Sequence, residues 1–177
     1  LLHERLPVSG GALREGLLTA VLPGRFEVVL GRPTLVLDVA HNPHAARALA
    51  AALGDMGYHP ETIAVCGMLA DKDIAGVIAA MRPRVDRWLV ATLPGPRGAN
   101  AAHLAEVLVG AGVDRSTIRT CDAVGEAFAA ARSLAGEADR IVVFGSFLTV
   151  AAAKSALTHG ACACSRSSLM SRLQESP

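Results

Sequence analysis

The clearest chemical feature of this chain is an acidic residue, a histidine and a helix start at the end of one apolar run. Residues 35–43 read Leu-Val-Leu-Asp-Val-Ala-His-Asn-Pro, so Asp38 and His41 follow a predicted strand. Asn42 is a favoured N-cap residue and Pro43 a favoured first helical residue. Because a helix N-terminus attracts anions, this combination predicts a site for a charged ligand.

Three other short segments carry residues of similar chemistry. Arg25 stands in Leu-Pro-Gly-Arg-Phe-Glu, Lys72 and Asp73 end Gly-Met-Leu-Ala-Asp-Lys-Asp, and Ser146 lies in Phe-Gly-Ser-Phe. A structural interpretation stays open for each segment, as a turn with a solvated arginine or as a capped helix start. Lys72 argues against the purely structural interpretation of its own segment, because a cation at a helix start is electrostatically unfavourable unless an anion or a partner lies nearby.

Two phosphate-binding patterns are absent from the sequence. No predicted strand is followed by Gly-x-Gly-x-x-Gly, which excludes the dinucleotide-binding fingerprint. The pattern Gly-x-x-x-x-Gly-Lys-Ser/Thr is also absent, and neither Lys72 nor Lys154 follows such a loop. We therefore expect that these 177 residues by themselves do not cradle a triphosphate in the usual way.

The four cysteines predict no metal site. Cys66 and Cys121 lie in or at the end of apolar runs, where a thiol is usually an inert core residue. Cys162 and Cys164 follow His159, but the further ligands that a four-coordinate zinc site needs are missing at recognisable spacing. The expectation is a reduced, cytoplasmic protein without a metal of its own.

Composition excludes several classes of protein. The chain is 51% hydrophobic and 19% charged with a net charge of +1, which excludes a disordered protein and argues against a nucleic-acid-binding surface. No apolar run is long enough to cross a membrane without a charge, Gly or Pro. The length predicts one domain, and because the first residue is Leu we expect a piece of a longer protein.

The elements that must position these residues alternate between strand and helix. Predicted strands cover 27–30, 34–40, 63–67, 87–93, 117–121 and 141–144, and predicted helices cover 42–56, 73–81, 100–108, 123–134 and 147–157. The three-residue link between the first two strands implies an antiparallel pair. The pattern predicts an α/β fold, a Rossmann-like, mostly parallel sheet with one antiparallel edge strand and helices on both faces.

This fold class also predicts the domain organisation and the place of the site. Residues 1–24 are expected to form a linker and the end of a preceding domain, residues 25–157 the domain itself, and residues 158–177 a disordered tail. In such sheets ligands bind outside the carboxyl ends of the strands. The four segments described above all lie next to predicted strands, three of them at strand exits.

Together, these motifs in this order resemble the C-terminal domain of bacterial folylpolyglutamate synthase/dihydrofolate synthase, a Mur-type ligase. The resemblance runs from about Leu22 to Ala153. One departure is Val39, where the family usually has Gly. The order and spacing of four motifs make this resemblance more specific than any single motif.

The resemblance implies an ATP-dependent amide ligase. ATP would phosphorylate the carboxylate of dihydropteroate or of a folate, and the amine of L-glutamate would then attack the acyl phosphate. In the family an N-terminal ATPase domain holds the P-loop, the Mg²⁺ ligands and most of the folate pocket. The resemblance thus implies ATP and Mg²⁺ as cofactors, that N-terminal domain as partner, a monomer, and no ligase activity of this chain alone.

The resemblance also assigns roles to individual residues. Arg25 corresponds to an arginine that reaches the nucleotide phosphates, and Asp38 to an aspartate that contacts the nucleotide at its ribose. His41 and Ser146 correspond to catalytic residues near the incoming glutamate and the acyl phosphate.

Lys72 and Asp73 match a further motif of the same family, and they could contact the substrate or the nucleotide. Other functions stay open beside the folate ligase. They are a cell-wall precursor Mur ligase, a receiver-like module in which Asp38 would accept a phosphoryl group, and a binding domain without catalysis. The receiver lacks support in the sequence, because paired acidic residues beside the first strand are missing.

Overall fold

The computed structural model describes residues 8–19 and 22–158. The predicted tail beyond residue 158, with His159, Cys162 and Cys164, lies outside the described residues. Within the described part, no helix is long and apolar enough to span a bilayer.

In the part of the chain that the structure describes, helix α1 is followed by six strands and five further α-helices, and strands and helices alternate from the second strand onward. The strands are β1 Glu27–Val29, β2 Thr34–Leu37, β3 Thr62–Cys66, β4 Arg87–Ala91, β5 Ile118–Cys121 and β6 Arg140–Phe144. The helices are α1 Gly10–Thr19, α2 Pro43–Asp55, α3 Ile74–Met81, α4 Ala101–Gly110, α5 Val124–Leu134 and α6, residues 147–158. Each predicted strand and helix is thereby confirmed, with small shifts at the ends.

The largest differences from the predicted bounds lie at strand exits. β2 ends at Leu37 rather than Ala40, because the Val39 N–H donates to the Gly24 carbonyl at 2.7 Å, outside the strand ladder. β4 ends at Ala91 rather than Leu93, because the Leu93 N–H donates to Ala99 within the following loop. At both strands the chain therefore leaves the sheet earlier than hydrophobicity predicts. The residues that follow these strand ends belong to the loops of the site.

The sheet has the order β1-β2-β6-β3-β4-β5. β1 is antiparallel to β2, and every other neighbouring pair is parallel. This arrangement confirms the predicted fold class, including its antiparallel edge strand.

Side chains of the parallel strands alternate between two cores. Val36, Ala64 and Val142 pack with the buried residues of α2, α3 and α4. Their neighbours Leu35, Ile63 and Ile141 pack with α5 and α6 on the opposite face. Because both faces are covered, β3 and β6 are buried along their whole length, which explains their nearly continuous apolar sequences.

The last strand returns to the middle of the sheet. The chain passes from β2 to β3, β4 and β5 with its helices on one face, and then comes back through α5 to place β6 between β2 and β3. The helices that follow β2 and β3 lie on one face, and the helix that follows β6 lies on the other. A crevice opens where neighbouring strands send their helices to opposite faces, and here it lies at the carboxyl end of β6.

Candidate active site

The turn that carries Arg25 is held by Asp38. One carboxylate oxygen of Asp38 accepts the Phe26 N–H at 2.8 Å and the other accepts the Ala40 N–H at 2.6 Å. Phe26 has a φ of 45°, which few residues other than glycine adopt, so these contacts hold a strained turn. Asp38 therefore joins the segment before β1 to the exit of β2.

Arg25 and Asp38 line one groove beside helix α2. The groove has a volume of about 280 Å³, and the remaining lining residues are Phe26 and apolar residues of α2. Arg25 is exposed, and its guanidinium has no hydrogen-bond or ion-pair partner among the described residues. The structure thus brings together the two residues that the resemblance assigns to the nucleotide.

A second pocket lies at the carboxyl end of β6. Its volume is about 230 Å³, and it is lined by His41 after β2, Lys72 after β3, and Ser146 with Phe147 after β6. These residues are far apart in the sequence and meet because β6 lies between β2 and β3. Both predicted catalytic residues and one predicted contact residue thereby share one pocket.

His41 is half-buried and has a defined orientation. Its Nδ1 lies 2.7 Å from the carbonyl oxygen of Val39. Since a carbonyl only accepts hydrogen bonds, Nδ1 carries the proton, and Nε2 of the neutral imidazole is an acceptor. Among the described residues, none is bonded to Nε2. The adjacent Asn42 caps α2 by accepting the Ala45 N–H at 2.9 Å, as the sequence predicts.

Lys72 belongs to a small charged cluster with Asp71 and Arg97. The Lys72 Nζ lies 3.2 Å from an Asp71 oxygen, and the Arg97 guanidinium donates to both oxygens of the same carboxylate at 3.0 and 3.2 Å. These hydrogen bonds, that of Arg97 first and that of Lys72 second, lower the pKa of Asp71. Arg97 lies in the loop after β4, and sequence reasoning missed it because a Pro-Gly-Pro-Arg-Gly segment reads as an ordinary turn.

Asp73 has a capping role in this structure. It is the N-cap of α3 and accepts the Gly76 N–H at 2.9 Å. It does not line the pocket of His41 and Lys72. The structural interpretation of Asp73 is therefore confirmed, and its contact with a ligand stays a prediction.

Ser146 is buried and caps helix α6. Its Oγ accepts the Thr149 N–H at 3.0 Å and lies 2.8 Å from the Thr149 hydroxyl. The Thr149 hydroxyl in turn donates to the carbonyl oxygen of Gly67 at 2.7 Å. This network ties the exit of β6 to the exit of β3, and Thr149 is a second residue that sequence reasoning missed.

The remaining titratable candidates lie away from the pocket. The thiols of Cys66 and Cys121 are both buried, and burial raises the pKa of Cys66 to about 12 and also raises that of Cys121. Both cysteines are thus weakly nucleophilic core residues. Within the described ranges, no group of three or more His, Cys, Asp or Glu side chains could hold a metal ion.

Comparison with known proteins identifies the family. Residues 24–147 match the family described as "Mur ligase, glutamate ligase domain". The chain belongs to this family. The matched range contains Arg25, Asp38, His41, Lys72 and Ser146.

Several known proteins are similar to this chain over most of its length. The dihydrofolate synthase/folylpolyglutamate synthase of Escherichia coli K12 is 45% identical over 146 residues, which is 82% of this chain and 33% of that protein. The crystal structure of the bifunctional enzyme from Yersinia pestis CO92 matches with a TM-score of 0.78 and 49% identity, over 89% of this chain and 36% of that one. The folylpolyglutamate synthase of Mycobacterium tuberculosis matches with a TM-score of 0.76 and 31% identity, over 84% and 35%.

This chain therefore spans about a third of the length of these curated relatives. The family match over residues 24–147 includes all six strands of the sheet.

Proposed function

We propose that this glutamate ligase domain is the C-terminal domain of an ATP-dependent ligase that adds L-glutamate to dihydropteroate or folates through an acyl phosphate. The observation that carries the proposal is the pocket at the carboxyl end of β6, in which His41, Lys72 and Ser146 meet. Arg25 and Asp38 line a separate groove. Known relatives support the substrate class. One solved Escherichia coli relative is in complex with DHPP and ADP, and another relative has Mn, AMPPNP and L-glutamate bound.

The proposed reaction needs positioning and charge neutralisation more than it needs strong acids or bases. A carboxylate is a poor electrophile at neutral pH, and phosphorylation supplies a good leaving group. Lys72 and the N-terminus of α6 offer positive charge for carboxylate or phosphoryl oxygens, and the His41 Nε2 offers an acceptor for an amine. Holding amine and acyl group side by side supplies much of the rate.

The nucleotide half of the proposal rests on Arg25 and Asp38. An exposed guanidinium without a partner among the described residues suits a phosphate, which it can bind through two parallel hydrogen bonds. Asp38 already accepts two backbone N–H groups, so it would contact a ribose with its remaining lone pairs. The two backbone hydrogen bonds also weaken the receiver alternative, because they hold both oxygens of the carboxylate that would attack the phosphoryl group.

The domain is proposed to work with residues outside this chain. ATP and Mg²⁺ are the proposed cofactors, and a P-loop and metal ligands of an N-terminal ATPase domain would complete the site. Phe147 and Leu148 are exposed beside the pocket at 61% and 50%, which suits a surface that such a domain covers. A cytoplasmic location and a monomeric state stay predictions.

A reciprocal pair of variants in the full-length enzyme tests the proposal. His41→Ala should raise the KM for glutamate or lower kcat by about tenfold or more, with an unchanged KM for ATP. Arg25→Ala should raise the KM for ATP about tenfold, the value of one lost charge-assisted contact, with an unchanged KM for glutamate. Each variant is the control for the other, and both should melt like the wild type. Equal effects on both substrates, or none, would contradict the assignment of pocket and groove.

A further inference from the structure

A buried chain of hydroxyl groups connects the pocket to the exit of β3. Ser146 and Thr149 are only 5% and 0% exposed, and their hydroxyl oxygens lie 2.8 Å apart. The Thr149 hydroxyl lies 2.7 Å from the carbonyl oxygen of Gly67. Capping of α6 needs only the Ser146 oxygen and the Thr149 N–H, so the cap does not account for a hydroxyl at position 149.

The direction of each proton in this chain follows from the acceptor at its end. A carbonyl oxygen carries no proton, so the Thr149 hydroxyl must donate to Gly67. Thr149 has then used its single proton, and the proton between the two hydroxyls must belong to Ser146. Ser146 therefore donates to Thr149, Thr149 donates to Gly67, and the order cannot be reversed.

This direction limits what Ser146 can offer to a ligand. Its proton is used on Thr149, and one lone pair accepts the Thr149 N–H. One lone pair of the Ser146 oxygen remains, so Ser146 can accept a hydrogen bond from a ligand but has no free proton to donate to it. The Nε2 of His41, which lines the same pocket, is an acceptor as well when the imidazole is neutral.

We propose that Thr149 is a positioning residue that commits the Ser146 hydroxyl to the role of acceptor, so that Ser146 and His41 together receive the N–H groups of the incoming amino acid's amine. The inference rests on the proposed function, and it deepens that function by assigning one end of the amino acid to one side of the pocket. Lys72, a donor without acceptor capacity, then faces an acidic group of the ligand. An oxyanion placed on Ser146 would meet a lone pair rather than a proton.

Variants at position 149 in the full-length enzyme test the positioning role. Thr149→Val keeps the shape and removes the hydroxyl, which frees the Ser146 proton, and Thr149→Ser keeps the hydroxyl and removes a methyl group. We expect Thr149→Val to raise the KM for glutamate roughly tenfold, the value of one hydrogen bond, with an unchanged KM for ATP. Thr149→Ser should restore the glutamate KM to within about threefold of the wild type. Equal glutamate KM values for the wild type and a folded Thr149→Val enzyme would overturn the inference.

A substrate analogue tests the acceptor role without altering position 149. Glutarate has both carboxylates of glutamate and lacks the amine, and it should inhibit competitively with glutamate. Ser146→Ala should weaken glutamate roughly tenfold and leave the inhibition constant of glutarate within about twofold. If the same variant weakens glutarate as much as glutamate, Ser146 donates to a carboxylate and the inference is wrong. The comparison of glutarate with glutamate tests the acceptor role of Ser146 even if Thr149→Val fails to fold.

The failure of the inference differs from the failure of the proposed function. If the wild-type full-length enzyme does not add glutamate in the presence of ATP, the proposed function fails before any variant is compared. If it does so and the variants behave contrary to expectation, only the roles of Thr149 and Ser146 fail.

Discussion

At the scale of single residues, the polar side chains of the site also build the loops that carry them. Asp38 holds the turn at Arg25, Asp73 caps α3, and Ser146 caps α6. A structural role and a functional role therefore do not exclude each other at this edge of the sheet. Substituting Asp38 would disturb the turn as well as any ligand contact, whereas Arg25 and His41 can be tested with less effect on the fold.

Glu27 permits a test of the turn that is independent of any ligand. One of its oxygens accepts the Gly24 N–H and a hydrogen bond from Lys154, each at 2.7 Å. The Lys154 hydrogen bond, with that of Gly24 second, lowers the pKa of Glu27. A lowered folded-state pKa means that the stabilisation is complete above the usual pKa of glutamate and is lost as pH falls through the lowered value.

We expect Glu27→Gln to lower the Tm of the chain at pH 7 by about 2–4 °C, as the loss of roughly 1 kcal/mol would. The difference from the wild type should shrink as pH falls below about 4. Glu106→Gln is the matched control, because Glu106 pairs with Arg115 on the open surface and should contribute little. A Tm difference that does not change between pH 7 and pH 3 would show that the charge of Glu27 has no part in the stability.

At the scale of elements, the exits of β3 and β6 pass each other very closely. Gly145 has a φ of 113°, and a Cβ there would lie 2.5 Å from the carbonyl oxygen of Gly67. Only glycine fits this position without strain. The close approach lets Thr149 reach Gly67, so the geometry of the pocket depends on it.

Gly145→Ala should therefore destabilise the chain by about 2–4 kcal/mol through strain and backbone repulsion. Gly125→Ala is the control, since Gly125 lies in α5, where an added Cβ would meet nothing within 4 Å, and alanine favours helix. Denaturant unfolding of the three proteins measures both effects. A Gly145→Ala protein as stable as the wild type would mean that the two exits can separate at little cost.

At the scale of the whole molecule, the groove and the pocket both open at the carboxyl edge of one sheet. On the proposed function, the lining residues would contact a nucleotide and an amino acid there, and the sequence has no phosphate-binding loop. An active site shared between two domains would account for this combination.

The isolated 177-residue chain is accordingly expected to fold and to show no ligase activity. The measurement is ATP-dependent incorporation of labelled glutamate into a folate acceptor, with the full-length enzyme as positive control. Thermal unfolding followed by circular dichroism shows whether the isolated chain is folded, so that inactivity of a folded domain can be told from loss of folding. Glutamate addition by the folded, isolated chain would contradict the idea of a shared site.

The sequence alone determined the local features of this protein. Strand alternation, the caps Asn42 and Ser146 and the antiparallel hairpin depend on residues that are close in the chain, where backbone geometry and hydrophobic periodicity act directly. The four motifs also indicated the family. Hydrophobicity placed strand ends two or three residues late, because it does not register hydrogen bonds such as that from Val39 to Gly24.

Tertiary structure decided which strand exits meet. The return of β6 between β2 and β3 depends on pairing between distant segments, and no local preference specifies that order. Three hydrogen bonds likewise join segments that are distant in the sequence. Arg97 donates to Asp71, Thr149 donates to the Gly67 carbonyl, and buried Arg140 at the start of β6 donates to the Leu53 carbonyl. The packing of the whole chain sets which polar groups come within hydrogen-bonding distance. The sequence therefore indicated His41, Lys72 and Ser146 but not Thr149, and the fold determined what each of them can donate or accept.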